Sequence, residues 1–186
     1  MSELAFADGT VLDLTNMMNL LGTEGGESIY WDATQLNINA GDGHDSVYTG
    51  NYDDIIAGGK GNDTLDGGGG NDTYIFNSGD GLDLLFDTQG SNSFVFTDLE
   101  KDDFGFLIQG GLLNVSYGDG DNIMLAGNVS RFELADGSYL TDSDVNYIIQ
   151  QISAFSANNG VNFSTADDVR RNEQMAQLIA AAWNNP

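Results

Sequence analysis

A period of nine residues runs through the first half of the chain. Aspartates recur at Asp45, Asp54, Asp63 and Asp72, and large apolar residues at Val47, Ile56, Leu65 and Tyr74, both series stepping by nine. In phase the turns read Ala40-Gly41-Asp42-Gly43-His44-Asp45-Ser46-Val47-Tyr48, Thr49-Gly50-Asn51-Tyr52-Asp53-Asp54-Ile55-Ile56-Ala57, Gly58-Gly59-Lys60-Gly61-Asn62-Asp63-Thr64-Leu65-Asp66 and Gly67-Gly68-Gly69-Gly70-Asn71-Asp72-Thr73-Tyr74-Ile75. Backwards, Ile38 and Ile29 keep the apolar position. Asn37 falls just after the Asp position of a turn that has lost its glycines, and Glu27 occupies that position one turn earlier. Forwards, a two-residue insertion precedes Ser78-Gly79-Asp80-Gly81-Leu82-Asp83-Leu84-Leu85-Phe86. About five sound turns and two degraded ones are expected.

Such a period constrains the backbone tightly. A six-residue glycine-rich loop needs angles closed to most side chains, and the three residues after it make a short strand. Two repeats then complete one coil, and loops two repeats apart stack at the strand spacing of about 4.8 Å. The gap between them is lined by carbonyls and by one carboxylate from each loop, a setting for a hard cation with oxygen ligands. Val47, Ile56, Leu65, Tyr74 and Leu85 are expected to point inward as a thin core.

Charge agrees with that reading. Against 29 Asp and Glu stand 5 Lys and Arg, a formal net charge of −24, which repels nucleic acid and anionic lipid and favours divalent cations. Self-repulsion on this scale predicts a chain largely unfolded until counter-charge is supplied. With no cysteine, disulfides, thiolate metal sites and a Cys nucleophile are excluded. No stretch approaches the roughly 18 apolar residues of a membrane span, so stable membrane insertion is not expected. Met1-Ser2-Glu3-Leu4 lacks the basic and apolar regions of a cleaved signal peptide.

Residues 40–86 resemble the calcium-binding nonapeptide array of the RTX family. The resemblance implies a mainly β fold, a right-handed parallel β-roll with a β-rich C-terminal flank and two terminal helices. It implies calcium ions, about three or more, each held by two loops of the same edge. One site would use the carbonyls of Gly41 and Gly43 with Asp45, closed by the carbonyls of Gly58 and Lys60 with Asp63. A second would use Gly50, Tyr52 and Asp54 with Gly67, Gly69 and Asp72. A third would use Gly59, Gly61 and Asp63 with Ser78, Asp80 and Asp83, so that an Asp can bridge two ions. Tyr52 departs from the glycine of the family pattern, as do Ala40 and Thr49 at the first position.

Downstream, the segments Gly118-Asp119-Gly120-Asp121-Asn122-Ile123-Met124 and Leu134-Ala135-Asp136-Gly137-Ser138-Tyr139-Leu140 resemble the β-rich flank that follows RTX arrays. Phe6-Ala7-Asp8-Gly9-Thr10-Val11-Leu12 is nearly the same heptad as the latter, with Asp-Gly as a tight-turn signal. This echo suggests that the N-terminal residues close a preceding block of a longer protein. An amphipathic helix is expected over 141–157, with Val145, Ile148, Ile149, Ile152 and Phe155 on one face. A second begins at Thr165, capped with Asp168, and carries Val169, Ala176, Ile179 and Trp183. This tail is similar to the far C-terminus of RTX proteins of the adenylate cyclase toxin type, where it caps the array and serves as an uncleaved type I secretion signal. The expected division is 1–21 as the closing segment, 22–93 as the roll, 94–141 as the flank and 142–186 as the helical tail.

Competing readings are weaker. Asp favours glycine-rich turns in general, but that does not produce a strict period. His44 reads as a solvated side chain, and Lys60 lacks the Gly-Lys-Ser/Thr ending of a phosphate loop. Asp119 and Asp121 resemble the start of an EF-hand loop without its glutamate or helices. No His-Glu-x-x-His or Gly-x-Ser-x-Gly is present, so catalysis would lie outside this chain. The expected function is a calcium-responsive secretion and folding module of a bacterial protein, secreted or held at the cell surface. Its partners would be calcium, the type I secretion machinery and the rest of the parent polypeptide. The alternative is a calcium-rigidified spacer or ligand-binding module of a surface adhesin.

Overall fold

Short strands of two to seven residues separated by glycine-rich loops leave the chain one efficient way to satisfy its backbone, which is to stack each strand on the strand two repeats earlier. The computed structural model describes residues 3–5, 11–13, 19–127 and 129–185, with only the backbone at 3–5, 11–13 and 19. In it β3 (Asn19–Thr23), β5 (Asn37–Gly43), β7 (Ile55–Ala57), β10 (Thr73–Phe76), β12 (Ser93–Phe96) and β16 (Arg131–Leu134) form one parallel sheet, closed by the antiparallel β17 (Tyr139–Thr141). The opposite sheet runs through β4 (Ser28–Tyr30), β6 (Ser46–Tyr48), β9 (Thr64–Asp66), β11 (Leu82–Leu85) and β15 (Asp121–Leu125). This is a parallel β-solenoid of about four turns, as the repeat predicts.

Register follows the period. Leu20, Ile38, Ile56 and Tyr74 lie side by side in one sheet, and Ile29, Val47 and Leu65 in the other. The inward residues of the five expected positions are all buried, with Val47 at 3% exposure and Ile56, Leu65, Tyr74 and Leu85 at 0%. After the insertion the step lengthens, pairing Tyr74 with Phe94 and Leu65 with Leu85.

The two sheets run on past residue 93. β12, β15 and β16 continue them in parallel register, and the hairpin of β13 (Gly105–Gln109) and β14 (Leu112–Tyr117) is inserted between β12 and β15. Here the core changes from aliphatic to aromatic. Phe76, Phe94, Phe96, Phe104, Phe106, Phe132 and Tyr117 make a chain of ring contacts between 4.8 and 6.3 Å. Each such pair adds about 0.5–1.5 kcal/mol beyond its buried area.

Helix α1 (Asp142–Asn159) starts at Thr141, whose side chain and that of Asp144 form a reciprocal capping box, and it ends at Gly160 in the left-handed region (φ 66°). Val145, Ile148 and Ile152 are its buried face. The single second helix expected from Thr165 is instead two, α2 (Ala166–Arg170) and α3 (Glu173–Ala182). Thr165 and Asp168 do form the expected box, but Asn172 caps a new helix by accepting the Met175 N–H. Met175 rather than Ala176 is therefore buried, and Trp183 lies beyond the helix in extended backbone, packed on Phe104 at 5.1 Å. Asn184 then exchanges two backbone hydrogen bonds with Tyr139, covering the edge of β17.

The Asp136-Gly137 turn joins β16 to β17, with Gly137 at φ 81°. Its N-terminal echo lies partly outside the described residues, which omit 6–10. The flanking β1 (Glu3–Ala5) and β2 (Val11–Asp13) pair antiparallel, with Leu4 opposite Leu12 as Phe132 is opposite Leu140.

Candidate metal centre

The loops stack along two edges. One carries residues 22–27, 40–45, 58–63 and 78–83, the other 31–36, 49–54, 67–72 and 87–92. The aspartates that end five of these loops all do the same thing. The Oδ1 of each accepts the backbone N–H of the residue below it in the preceding coil: Glu27 on Asp45 (2.6 Å), Leu36 on Asp54 (2.7 Å), Asp45 on Asp63 (2.8 Å), Asp54 on Asp72 (2.8 Å) and Asp63 on Asp83 (2.9 Å). A carboxylate thus replaces a carbonyl in the ladder and ties one coil to the next.

The other oxygen carries the signal. Oδ2 of Asp45, Asp54, Asp63 and Asp72 is buried without a hydrogen-bond partner, in residues 1% exposed. Unpaired buried carboxylate oxygens are expensive, and a cation is the usual remedy. Burial pushes Asp63 up to about 6, Asp72 to about 7 and Asp83 to about 8. It raises Asp45 and Asp54 as well.

Backbone carbonyls line the same stacks. A Cβ on Gly59 would lie 1.9 Å from the Gly41 carbonyl oxygen, one on Gly61 1.4 Å from that of Gly43, and one on Gly68 2.1 Å from that of Gly50. Only glycine permits this approach, and Gly43 and Gly61 also need φ of 142° and 148°. Tyr52 departs locally. No described residue other than glycine has positive φ, so Tyr52 does not copy Gly43 or Gly61, yet its carbonyl still faces Gly70, 2.3 Å from where a Cβ would stand.

At the first position, a Cβ on Gly58 would meet Asp63 Oδ2 at 2.3 Å and one on Gly67 would meet Asp72 Oδ2 at 2.4 Å. The free oxygen of each Asp therefore hangs over the start of its own loop. At the third position, Lys60 pairs with Asp42 in the ladder and its ammonium lies 3.8 Å from the Asp42 carboxylate, an exposed ion pair. Gly69 donates its N–H to the Gly50 carbonyl (2.6 Å) and Gly61 to the Asp80 carbonyl (2.7 Å), leaving each of those oxygens one lone pair.

The third stack is irregular at its outer end. Ser78 is exposed and held by Asp98 (3.0 Å), while the Asp80 side chain turns inward and accepts the Asn77 N–H (2.7 Å). Burial pushes Asp80 up to about 6. Asp121 closes this edge, its two oxygens accepting the N–H groups of Gly79 (2.8 Å) and Gly81 (3.0 Å). Asp119 and Asp121 thus belong to the β14–β15 turn, not to an EF-hand. The Tyr117 hydroxyl is buried nearby without a partner, and burial together with Asp83, Asp80 and Asp121 pushes its pKa up.

Several residues on these edges escaped the sequence reading. Asn92 holds the Asp72 N–H (3.0 Å) at the Asp register, and Asp87 is buried beside it. The signal was present, since the step of twenty that carries Asp63 to Asp83 also carries Asp72 to Asn92. The fifth loop position, where His44 reads as a solvated side chain, forms an outer ladder in which Asn62 N–H donates to His44 Nδ1 (2.8 Å) and Asn71 N–H to Asp53 (2.7 Å).

Among the described residues no three His, Cys, Asp or Glu side chains converge as a metal group by themselves. Carbonyls would have to supply most donors, which suits a hard cation such as calcium. Nor is any described helix long and apolar enough to cross a membrane. No curated protein matches the chain, and the likeness of the tail to the adenylate cyclase toxin type remains a resemblance. The sequence model of one family, the RTX calcium-binding nonapeptide repeat in four copies, matches residues 39–74 and 48–85. Those residues are the stacked loops with the orphaned carboxylate oxygens, and residues 39–85 are the part of the chain that carries RTX calcium-binding repeats.

Proposed function

We propose that this chain is a calcium-dependent folding module, exported unfolded and set into its β-roll outside the cell. The observation that carries the reading is the row of buried aspartates, each with one oxygen in the backbone ladder and the other unpartnered. Bound calcium would supply positive charge and take the free carboxylate oxygens and the loop carbonyls as its ligands. The candidate ligands are the carbonyls of Gly41 and Gly43 with Asp45, Gly58, Lys60 and Asp63; those of Gly50 and Tyr52 with Asp54, Gly67, Gly69 and Asp72; and those of Gly59 and Gly61 with Asp63, Ser78, Asp80 and Asp83.

The ladder would make loading cooperative, because each Asp that a folded loop positions also holds the backbone of the loop before it. Affinity on the order of 10⁻⁴–10⁻³ M suits extracellular calcium, and tenfold excess over Kd would add about 1.4 kcal/mol per site. In the cell the net charge of −24 would keep the chain extended for passage through a type I channel. RTX repeats are typical of secreted bacterial proteins, which supports this setting, and the helical tail would carry the signal. Circular dichroism should report a coil-to-β transition, steep in calcium; the same β spectrum in EDTA would refute it. Deleting residues 165–186 should abolish export.

One observation favours the adhesin alternative. Tyr30 and Tyr48 stack at 4.9 Å on the outer face of the β4–β6–β9 sheet, with Tyr30 72% and Phe86 45% exposed. Under that reading the tail is dispensable for export, and Tyr30→Ala weakens attachment of the parent protein to a surface.

A further inference from the structure

Loop 87–92 lies outside the matched repeats. Its sequence, Asp87-Thr88-Gln89-Gly90-Ser91-Asn92, has lost the repeat's aspartate and all but one glycine. It nevertheless stacks on loop 67–72 as the others stack. The Asp72 N–H donates to Asn92 Oδ1 at 3.0 Å, as the Asp54 N–H does to Asp72 at 2.8 Å. Ser91 N–H continues the outer ladder onto Asn71 (2.9 Å). Gly90 has φ 72°, and a Cβ there would fall 1.5 Å from the Gly70 carbonyl oxygen, as at Gly61 against Gly43.

The carboxylate missing at Asn92 reappears at Asp87. Asp87 is 0% exposed, and the donors around it fix its position. The Tyr74 hydroxyl donates to Oδ2 (2.6 Å) while accepting the Gly67 N–H (2.7 Å), and Gln89 N–H donates to Oδ1 (3.2 Å). Held this way, the Asp87 carboxyl and Asp72 Oδ2 converge beside Gly67, where a Cβ would stand 2.4 Å from Asp72 Oδ2 and 2.6 Å from the Tyr74 hydroxyl that donates to Asp87, and Asp72 Oδ2 is buried and unpartnered. Asn92 Nδ2 donates to the Gln89 carbonyl (2.9 Å), which leaves Oδ1 for Asp72. Two buried carboxylates gathered at one spot need either a shared proton or a cation between them.

We propose that loops 67–72 and 87–92 hold one further calcium ion, with Asp72 and Asp87 as its carboxylate ligands and Asn92 in the place of the repeat's second aspartate. The inference rests on the calcium reading of the repeats. The ion ties loop 67–72 to the loop that leads into Phe94 of the aromatic core, so loading reaches the C-terminal end of the roll.

The test counts calcium bound to the full chain at saturation by equilibrium dialysis and follows the midpoint by circular dichroism. Asp87→Asn should bind one ion fewer than the parent. Asn92→Asp should keep the parent's count and lower the midpoint roughly threefold or more, since ligand charge tunes affinity. An Asp87→Asn protein with the parent's count would overturn the proposal and leave a shared proton between Asp72 and Asp87. If Asp87→Asn does not fold in calcium, Asn92→Asp decides, and an unchanged or higher midpoint overturns it. A parent that binds no calcium sinks the repeat reading with it, whereas a binding parent with an unaffected Asp87→Asn count sinks this site alone.

Discussion

Asp63 shows how much one side chain carries in a roll of this kind. Its Oδ1 holds the Asp45 N–H, its own N–H is held by Asp83, and its Oδ2 hangs unpaired over Gly58. Asp63→Ala leaves a buried N–H without its acceptor, at about 1–3 kcal/mol, and removes a carboxylate from two candidate sites. It should raise the calcium midpoint more than Asp45→Ala, which unpairs only Glu27 at the degraded end; equal midpoints would refute the shared role. The same burial sets a pH dependence. Folded-state values of about 6 for Asp63, about 7 for Asp72 and about 8 for Asp83 stand above the ordinary 3.8. The stability they contribute to the metal-free roll is therefore complete below pH 3.8 and is lost as pH rises through 6 to 8. In EDTA the β signal should be stronger near about pH 4.5 than near about pH 8. In calcium the midpoint should rise as pH falls through about 8 to about 6, because protons compete for the same oxygens.

At the scale of the element, the strands were legible and their continuation was not. A period of nine with an apolar residue two places after each Asp names Val47, Ile56, Leu65 and Tyr74 as inward, and the carboxylate positions follow from the same count. Past Phe96 no count suffices. Phe94 pairs with Phe132 and Leu85 with Leu125 only because the β13–β14 hairpin leaves and re-enters the coil, a tertiary choice that leaves no local period. The tail gave a similar lesson. Its apolar spacing reads as one helix, but Asn172 offers its side chain to the Met175 N–H and starts a new one. That break lets Trp183 reach Phe104 and Asn184 reach the β17 edge. Trp183→Ala should therefore lower stability in saturating calcium by about 3–5 kcal/mol, read as a fall in urea midpoint, while the calcium count stays that of the parent. A lost ion would mean that cap and loops are not separable.

For the whole molecule, two different charges oppose folding, and they can be told apart. The net charge of −24 acts at long range through water. The buried carboxylates of Asp45, Asp54, Asp63 and Asp72 act locally, in places solvent does not reach. Salt at about 1 M shortens the screening length to about 3 Å, which relieves the first and barely touches the second. If surface repulsion were the main obstacle, salt alone would fold the roll. If the orphaned oxygens are, the chain in EDTA and high sodium chloride should contract without gaining β structure, and calcium should then fold it at any ionic strength. Small-angle scattering for size and circular dichroism for strand content separate the two. A β spectrum in salt and EDTA would place the switch in the overall charge rather than in the loops.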